Sequence, residues 1–113
     1  VLFRSNYLSN SGRDLIYEYI NSLPEAEKID GYTVLQHMEK GEFDKILFKR
    51  WEKKVYEVYF QKNNRVFYIT VDKENIYLLH SCRKQKNKTE KKDANIVRKR
   101  AKELGNMLGR KFI

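Results

Sequence analysis

The sequence predicts an α+β domain: two N-terminal helices, a four-stranded antiparallel sheet and a closing C-terminal helix. Three observations predict it. Apolar residues recur at helical spacing before Gly41 and again after Thr89, the spacing falls to about two between Ile46 and Arg83, and asparagine-containing turns punctuate that middle stretch. Short strands that follow one another without intervening helices form a meander rather than a parallel βαβ sheet.

Ser11 is placed to cap a first helix in which Leu15, Ile16, Tyr19, Ile20 and Leu23 share one face. Pro24 with Glu25 and Glu27 reads as the first turn of a second helix, with Ile29, Tyr32, Leu35 and Met38 facing inward and Gly41 as its stop. Strands are expected at Ile46 to Trp51, Val55 to Lys62, Arg65 to Asp72 and Ile76 to Arg83, joined by turns at Asn63-Asn64 and Lys73-Glu74-Asn75. Thr89 is placed to cap the last helix, where Ala94, Val97, Ala101, Leu104 and Leu108 follow a 3, 4, 3, 4 spacing. The helices are expected to cover one sheet face and leave the other open. Residues 1–11 carry no such pattern and are expected to be poorly ordered.

At 113 residues the chain is expected to form a single domain, 1–113, with one core. Its hydrophobic content of 41%, rich in Tyr and Phe, argues against global disorder. The net charge is +9, and Arg83 to Arg100 hold nine Lys or Arg against two acids, so +7 of it lies in one segment. Such a segment favours a polyanionic partner, because cations that neutralise phosphates release condensed counterions. Cys82 is the only cysteine, which excludes an intrachain disulfide and fits a reducing, cytoplasmic setting. No Cys/His spacing suggests a zinc site, so no metal and no cofactor is expected. The longest apolar run, Val66 to Val71, is far short of the ~20 residues that span a bilayer, so no membrane partner is expected. The start, Val1-Leu2-Phe3 followed at once by Arg4 and Ser5, does not read as a signal peptide.

Several local motifs carry a resemblance. These are Asp14-Leu15 to Ser22-Leu23-Pro24, Tyr56-Glu57-Val58, Arg65-Val66-Phe67-Tyr68, and the run Ile76-Tyr77-Leu78-Leu79-His80-Ser81-Cys82-Arg83-Lys84-Gln85-Lys86-Asn87-Lys88-Thr89. Over about Gly12 to Leu108 the chain resembles the RelE superfamily of bacterial type II toxins, in its phage-derived HigB-like subgroup. That subgroup shows an LLHGF-like run, two or three lysines, then KTP. Leu78, Leu79, His80, Lys84, Lys88 and Thr89 match, whereas Ser81 and Cys82 stand for Gly and Phe, and Glu90 for Pro. Tyr59 stands where the subgroup commonly has a basic residue two beyond the strand glutamate.

The resemblance implies a RelE-like fold and a metal-independent endoribonuclease. Its members cut mRNA on the ribosome by attack of the 2′-hydroxyl on the neighbouring phosphate, and are neutralised by an antitoxin, typically a helix-turn-helix protein. Such chemistry requires a base, cations for the pentacoordinate phosphorus and an acid for the leaving 5′-oxygen. Arg65, matching the strand arginine, is the first candidate for the transition-state cation, with a salt-bridged hairpin-end arginine as the bland reading. Lys84, Lys86 and Lys88 alternate along an extended segment and, with Arg83 and Lys91, are expected to meet RNA or merely to solubilise the chain. His80 reads as a base or as a hydrogen-bonded core histidine sharing a face with Leu78. Glu57 reads as the alternative base or as a cross-strand partner of Arg65. Tyr59 and Tyr68 read as base-stacking platforms or core residues, and Trp51 as a core anchor. The alternative function, which Tyr59 supports, is a catalytically weak or inactive module that binds RNA or an antitoxin.

Overall fold

The structure, a computed structural model, describes residues 2–84 and 88–113. Its elements are β1 (Phe3–Asn6), α1 (Leu15–Asn21), α2 (Glu25–Glu39), a 3-10 turn (Phe43–Lys45), β2 (Leu47–Glu52), β3 (Val55–Phe60), β4 (Asn64–Thr70), β5 (Asn75–Arg83) and α3 (Lys91–Leu108). The α+β class stands. The sheet, however, has five strands in the order β1-β5-β4-β3-β2, and β1 runs parallel to β5. The expected four-stranded antiparallel meander is therefore the β2 to β5 part of a mixed sheet. β1 left no trace in the apolar pattern because its first three residues are exposed. Backbone pairing with β5, a Leu2 amide bond to the Glu39 carbonyl and an Arg4–Glu39 ion pair of 2.6 Å hold it instead.

α1 begins later than expected. Ser11 lies in a turn whose Gly12 has φ of 82°, and the cap is Asp14, whose Oδ1 accepts the Tyr17 amide at 2.9 Å. In α2 the inward line is Glu27, Gly31, Leu35 and Met38 rather than the line through Ile29, which is 57% exposed. Gly31 explains the shift of face: a Cβ there would lie 3.1 Å from both Ile20 Cγ2 and Phe60 Cζ, so the bare backbone lets α2 lie close against α1 and the sheet. After α2, Glu42 receives the Lys45 ammonium at 2.9 Å and lies 3.0 Å from His37 Nδ1. Lys45 first and His37 second hold its carboxyl down at about 2. A carboxylate with a depressed folded-state pKa contributes stability above its unfolded value of 4.5 and loses it as pH falls toward 2. A carbon-detected NMR titration should find the Glu42 carboxyl still ionised at pH 3, and a midpoint above 4 would contradict the cluster.

Strand alternation sends two sets of side chains to opposite faces. Val58, Phe60, Val66, Tyr68, Ile76 and Leu78 pack under α1 and α2, whereas Val55, Phe67, Ile69, Leu79 and Cys82 pack against Val97, Ala101 and Leu104 of α3. Helices thus cover both faces, which corrects the expectation of one open face. The face change in β5 comes from a register shift: Phe67 pairs with His80 but Tyr68 with Leu78, leaving Leu79 as an extra residue. Leu78 and His80 therefore do not share a face.

α3 has no side-chain cap from Thr89; Glu90 occupies the capping position and Thr89 Oγ1 is buried without a partner. Leu108 is 46% exposed, because Gly109 at φ 65° ends the helix and the chain turns back. The returning tail buries Phe112, whose carbonyl accepts the Lys54 amide at 3.1 Å. Gly105 makes this possible, since an added Cβ would collide with the Arg110 carbonyl oxygen. Gly105→Ala should therefore lower stability by about 1–3 kcal/mol by overpacking, despite alanine's better helix propensity of about 1 kcal/mol. A raised melting temperature would show that the tail is not docked there.

Candidate functional site

A cleft of about 400 Å³ lies between β2, β3 and the start of α3, lined by Lys49, Arg50, Trp51, Glu57, Lys84, Lys88, Thr89, Ala94 and Arg98. Its floor is Glu57, a carboxylate on β3 with no exposed surface. A buried carboxylate needs cations to offset its desolvation. Lys84 Nζ donates to Glu57 Oε1 at 2.8 Å and Arg65 Nε lies 3.2 Å from the same oxygen. Glu57 Oε2 has no hydrogen-bond partner. One oxygen is thus engaged by both cations, while the other is a buried acceptor without a partner at the cleft floor.

Strand pairing accounts for this convergence. Glu57 is opposite Phe67, and Tyr59 is opposite Arg65, which is opposite Cys82, so Arg65 reaches Glu57 diagonally. Lys84 follows Cys82 by two residues and returns to the same face, with its ammonium 5.9 Å from the centre of the Phe67 ring. Lys49 pairs with Glu57 across β2 and β3 and brings a further cation to the rim. Arg98 of α3 lies over Trp51 at 5.2 Å and pairs with Glu52 at 2.9 Å.

The other expected residues fall in different places. Arg65 is 7% exposed, donates to the Asn64 carbonyl at 3.0 Å and covers the Tyr59 ring at 4.8 Å, so it braces Glu57 and does not line the cleft. Half-buried Tyr59 has that guanidinium on its ring. Tyr68 is 2% exposed and packs beside Tyr56 and Phe43, which rules out base stacking in this conformation; the core reading replaces it. Arg83 points to the opposite face, where it binds Glu27 Oε1 and the Lys62 carbonyl, both at 2.7 Å. Strand alternation thus separates it from Lys84, against the expectation that both face one ligand. Lys88 lines the cleft, Lys91 is exposed at the start of α3, and Lys86 lies outside the described residues.

His80 is not in the cleft. Its Nε2 lies 2.8 Å from Asp93 Oδ1 and its Nδ1 3.4 Å from Arg100 Nη1, and burial holds its pKa below the ordinary histidine value against the pull of Asp93. The arrangement is that of a hydrogen-bonded, largely buried histidine.

Three features escaped the sequence reading. Asn64, expected in a turn, is a fully buried hub: it accepts from Tyr19 Oη at 2.6 Å and donates to Glu27 Oε1 at 2.9 Å, while Lys62 and Asn63 take the positive φ of the turn. Lys49 and Arg98 join the cleft through tertiary packing, with only their charge as a signal. Asp93, read as one of two acids in a basic segment, secures His80.

The sequence model of one family, described as phage derived protein Gp49-like (DUF891), matches residues 18–102, well over half of the chain and all of the strands and helices that build the cleft except the last turns of α3. No curated protein matches the chain.

Proposed function

The chain belongs to the phage-derived Gp49-like family, and from that membership together with the cleft over Glu57 we propose that it is a toxin-like endoribonuclease of the RelE type. The observation that carries this reading is the unpartnered Oε2 of a fully buried glutamate at the floor of a cation-lined cleft. That pairing of groups suits a ligand with a hydroxyl donor beside an anion, as in a ribose 2′-hydroxyl next to its 3′-phosphate. Glu57 Oε2 takes the 2′-hydroxyl proton as the O2′–P bond forms and the P–O5′ bond breaks. A lysine ammonium of the cleft returns a proton to O5′, leaving a 2′,3′-cyclic phosphate. Lys84, Lys49 and Lys88 face the charge that builds on phosphorus. Arg65 acts one step back, by fixing Glu57. No metal takes part in this scheme.

The substrate in this reading is mRNA on the ribosome, where the +7 segment around α3 adds sequence-independent attraction, and an acidic antitoxin covers the same surface. No helix among the described residues is long and apolar enough to cross a membrane.

A second reading rests on a specific observation: Arg65 and Lys84 are almost wholly buried and spent on Glu57, and His80 is held by Asp93. On that basis the fold retains RNA binding without the cut. End-mapping of mRNA in cells expressing wild type and Glu57→Gln, paired with binding measurements on purified protein, separates the two. The nuclease reading expects cuts that fall by about 100- to 10,000-fold in Glu57→Gln while salt-dependent RNA affinity persists. Binding without cuts in the wild type selects the second reading, and absence of both refutes each.

A further inference from the structure

Away from the cleft, the first residues of α3 meet β5 over a second group of chemistry-bearing side chains. His80 and Cys82 stand two residues apart on β5, beyond the extra residue at Leu79, and so share the sheet face that packs against α3. Asp93 comes down on them from the first turn of α3. One ligand-type atom from each, an imidazole nitrogen, the sulfur and a carboxylate oxygen, lie within 4.8 Å of one another. We propose that His80 Nε2, Cys82 Sγ and the Asp93 carboxylate form a binding site for one thiophilic divalent cation of the zinc type, with water in the fourth position.

Geometry, donor chemistry and charge each support it. Tetrahedral zinc bonds of about 2.0–2.3 Å set ligand atoms roughly 3.3–3.7 Å apart, so the widest pair must close by about 1 Å and the His80–Asp93 contact of 2.8 Å must open slightly. Those are side-chain adjustments between one strand and one helix. Nitrogen, sulfur and carboxylate oxygen together are a zinc-type donor set, whereas magnesium and calcium take oxygen ligands. A dication bound by one thiolate, one carboxylate and a neutral imidazole is electrically neutral, the state that a mostly buried site with Arg100 nearby favours. Cysteine ligates as the thiolate, so binding the cation releases the Cys82 thiol proton to solvent. The imidazole then carries its proton on Nδ1, so the 3.4 Å contact in which Arg100 Nη1 donates to Nδ1 must open, while Arg100 keeps its 2.9 Å bond to the Leu79 carbonyl. A cavity of about 280 Å³ between α1 and β5 reaches His80 of the site but not Cys82 or Asp93.

Cobalt(II) added to the purified full chain tests the site. The expected result is a sulfur-to-cobalt charge-transfer band that saturates at about one equivalent and is displaced by zinc, as for a tetrahedral thiolate site. Cys82→Ser should abolish the band. Asp93→Asn and His80→Asn should each weaken binding by more than the roughly 10–100-fold that loss of an outer-shell partner costs. Because Cys82 is the only cysteine, the band reports on this site alone. Zinc should also slow alkylation of Cys82 in the unmutated protein, a measurement that survives any variant that fails to fold. Absence of the band, undiminished affinity in the Asp93 and His80 variants, or alkylation indifferent to zinc would each overturn the site.

Discussion

Glu57→Ala is expected to lower the unfolding free energy by about 3–5 kcal/mol, because it strands the almost wholly buried Lys84 and Arg65 cations without a counter-charge. The two cations converge on one oxygen of a side chain with no exposure, and they are themselves 4% and 7% exposed. Removing the carboxylate leaves their desolvation uncompensated, whereas replacing all three residues by apolar ones of similar volume removes the charges together and should cost far less. That contrast is the diagnostic. Urea unfolding of the single and triple variants checks it, and a single-variant loss below about 1 kcal/mol would mean that water already reaches the ammonium and guanidinium groups.

Phe67→Ala should have an effect of the same size, about 3–5 kcal/mol, as for other fully buried aromatic truncations. Phe67 is unexposed and its ring meets Trp51 edge-on at 5.3 Å, lies parallel to His80 at 6.5 Å and sits 5.9 Å from the Lys84 ammonium. It therefore joins the α3-side core to the floor of the cleft. The loss should appear as a lower denaturation midpoint and, on the proposed RNA-cleaving function, as weaker RNA binding, since the cavity left behind loosens Trp51 and Lys84 together. Phe67→Leu, which keeps most of the volume, should recover the greater part of both.

Periodicity made most of this architecture legible. The strand-type runs from Val55 to Arg83, bounded by turn residues and buried on both faces, and the 3, 4 spacing of α3 are imprints of packing against a core. The misplacements have local causes. Exposed β1 is held by backbone bonds, which leave no side-chain record. A turn through Gly12 moved the cap of α1 from Ser11 to Asp14, and α3 starts beyond Thr89 with no side-chain cap at all. The Leu79 bulge changed which face His80 occupies, an event that period-two counting does not anticipate.

Of the site, Glu57, Lys84 and Lys88 were identifiable because they fall in the motifs that carry the resemblance to RelE-type toxins, and the structure gathers them in one cleft. Lys49 and Arg98 were not, since what brings them there is the pairing of β2 with β3 and the path of α3 over the sheet. Arg65 shows the limit of reading a role from residue type. A guanidinium at a strand end reads as a phosphate clamp, yet here it is folded under and lends its charge to a neighbour.

Among the described residues, parallel β1 alone pairs with the outer edge of β5, along Asn75 to Leu78. Without β1 that edge would present free amides and carbonyls, the template by which sheets recruit one another. The first few residues thus act as a selvedge that keeps the protein from being woven into its own copies, and protecting them from proteolysis bears on solubility as much as on stability.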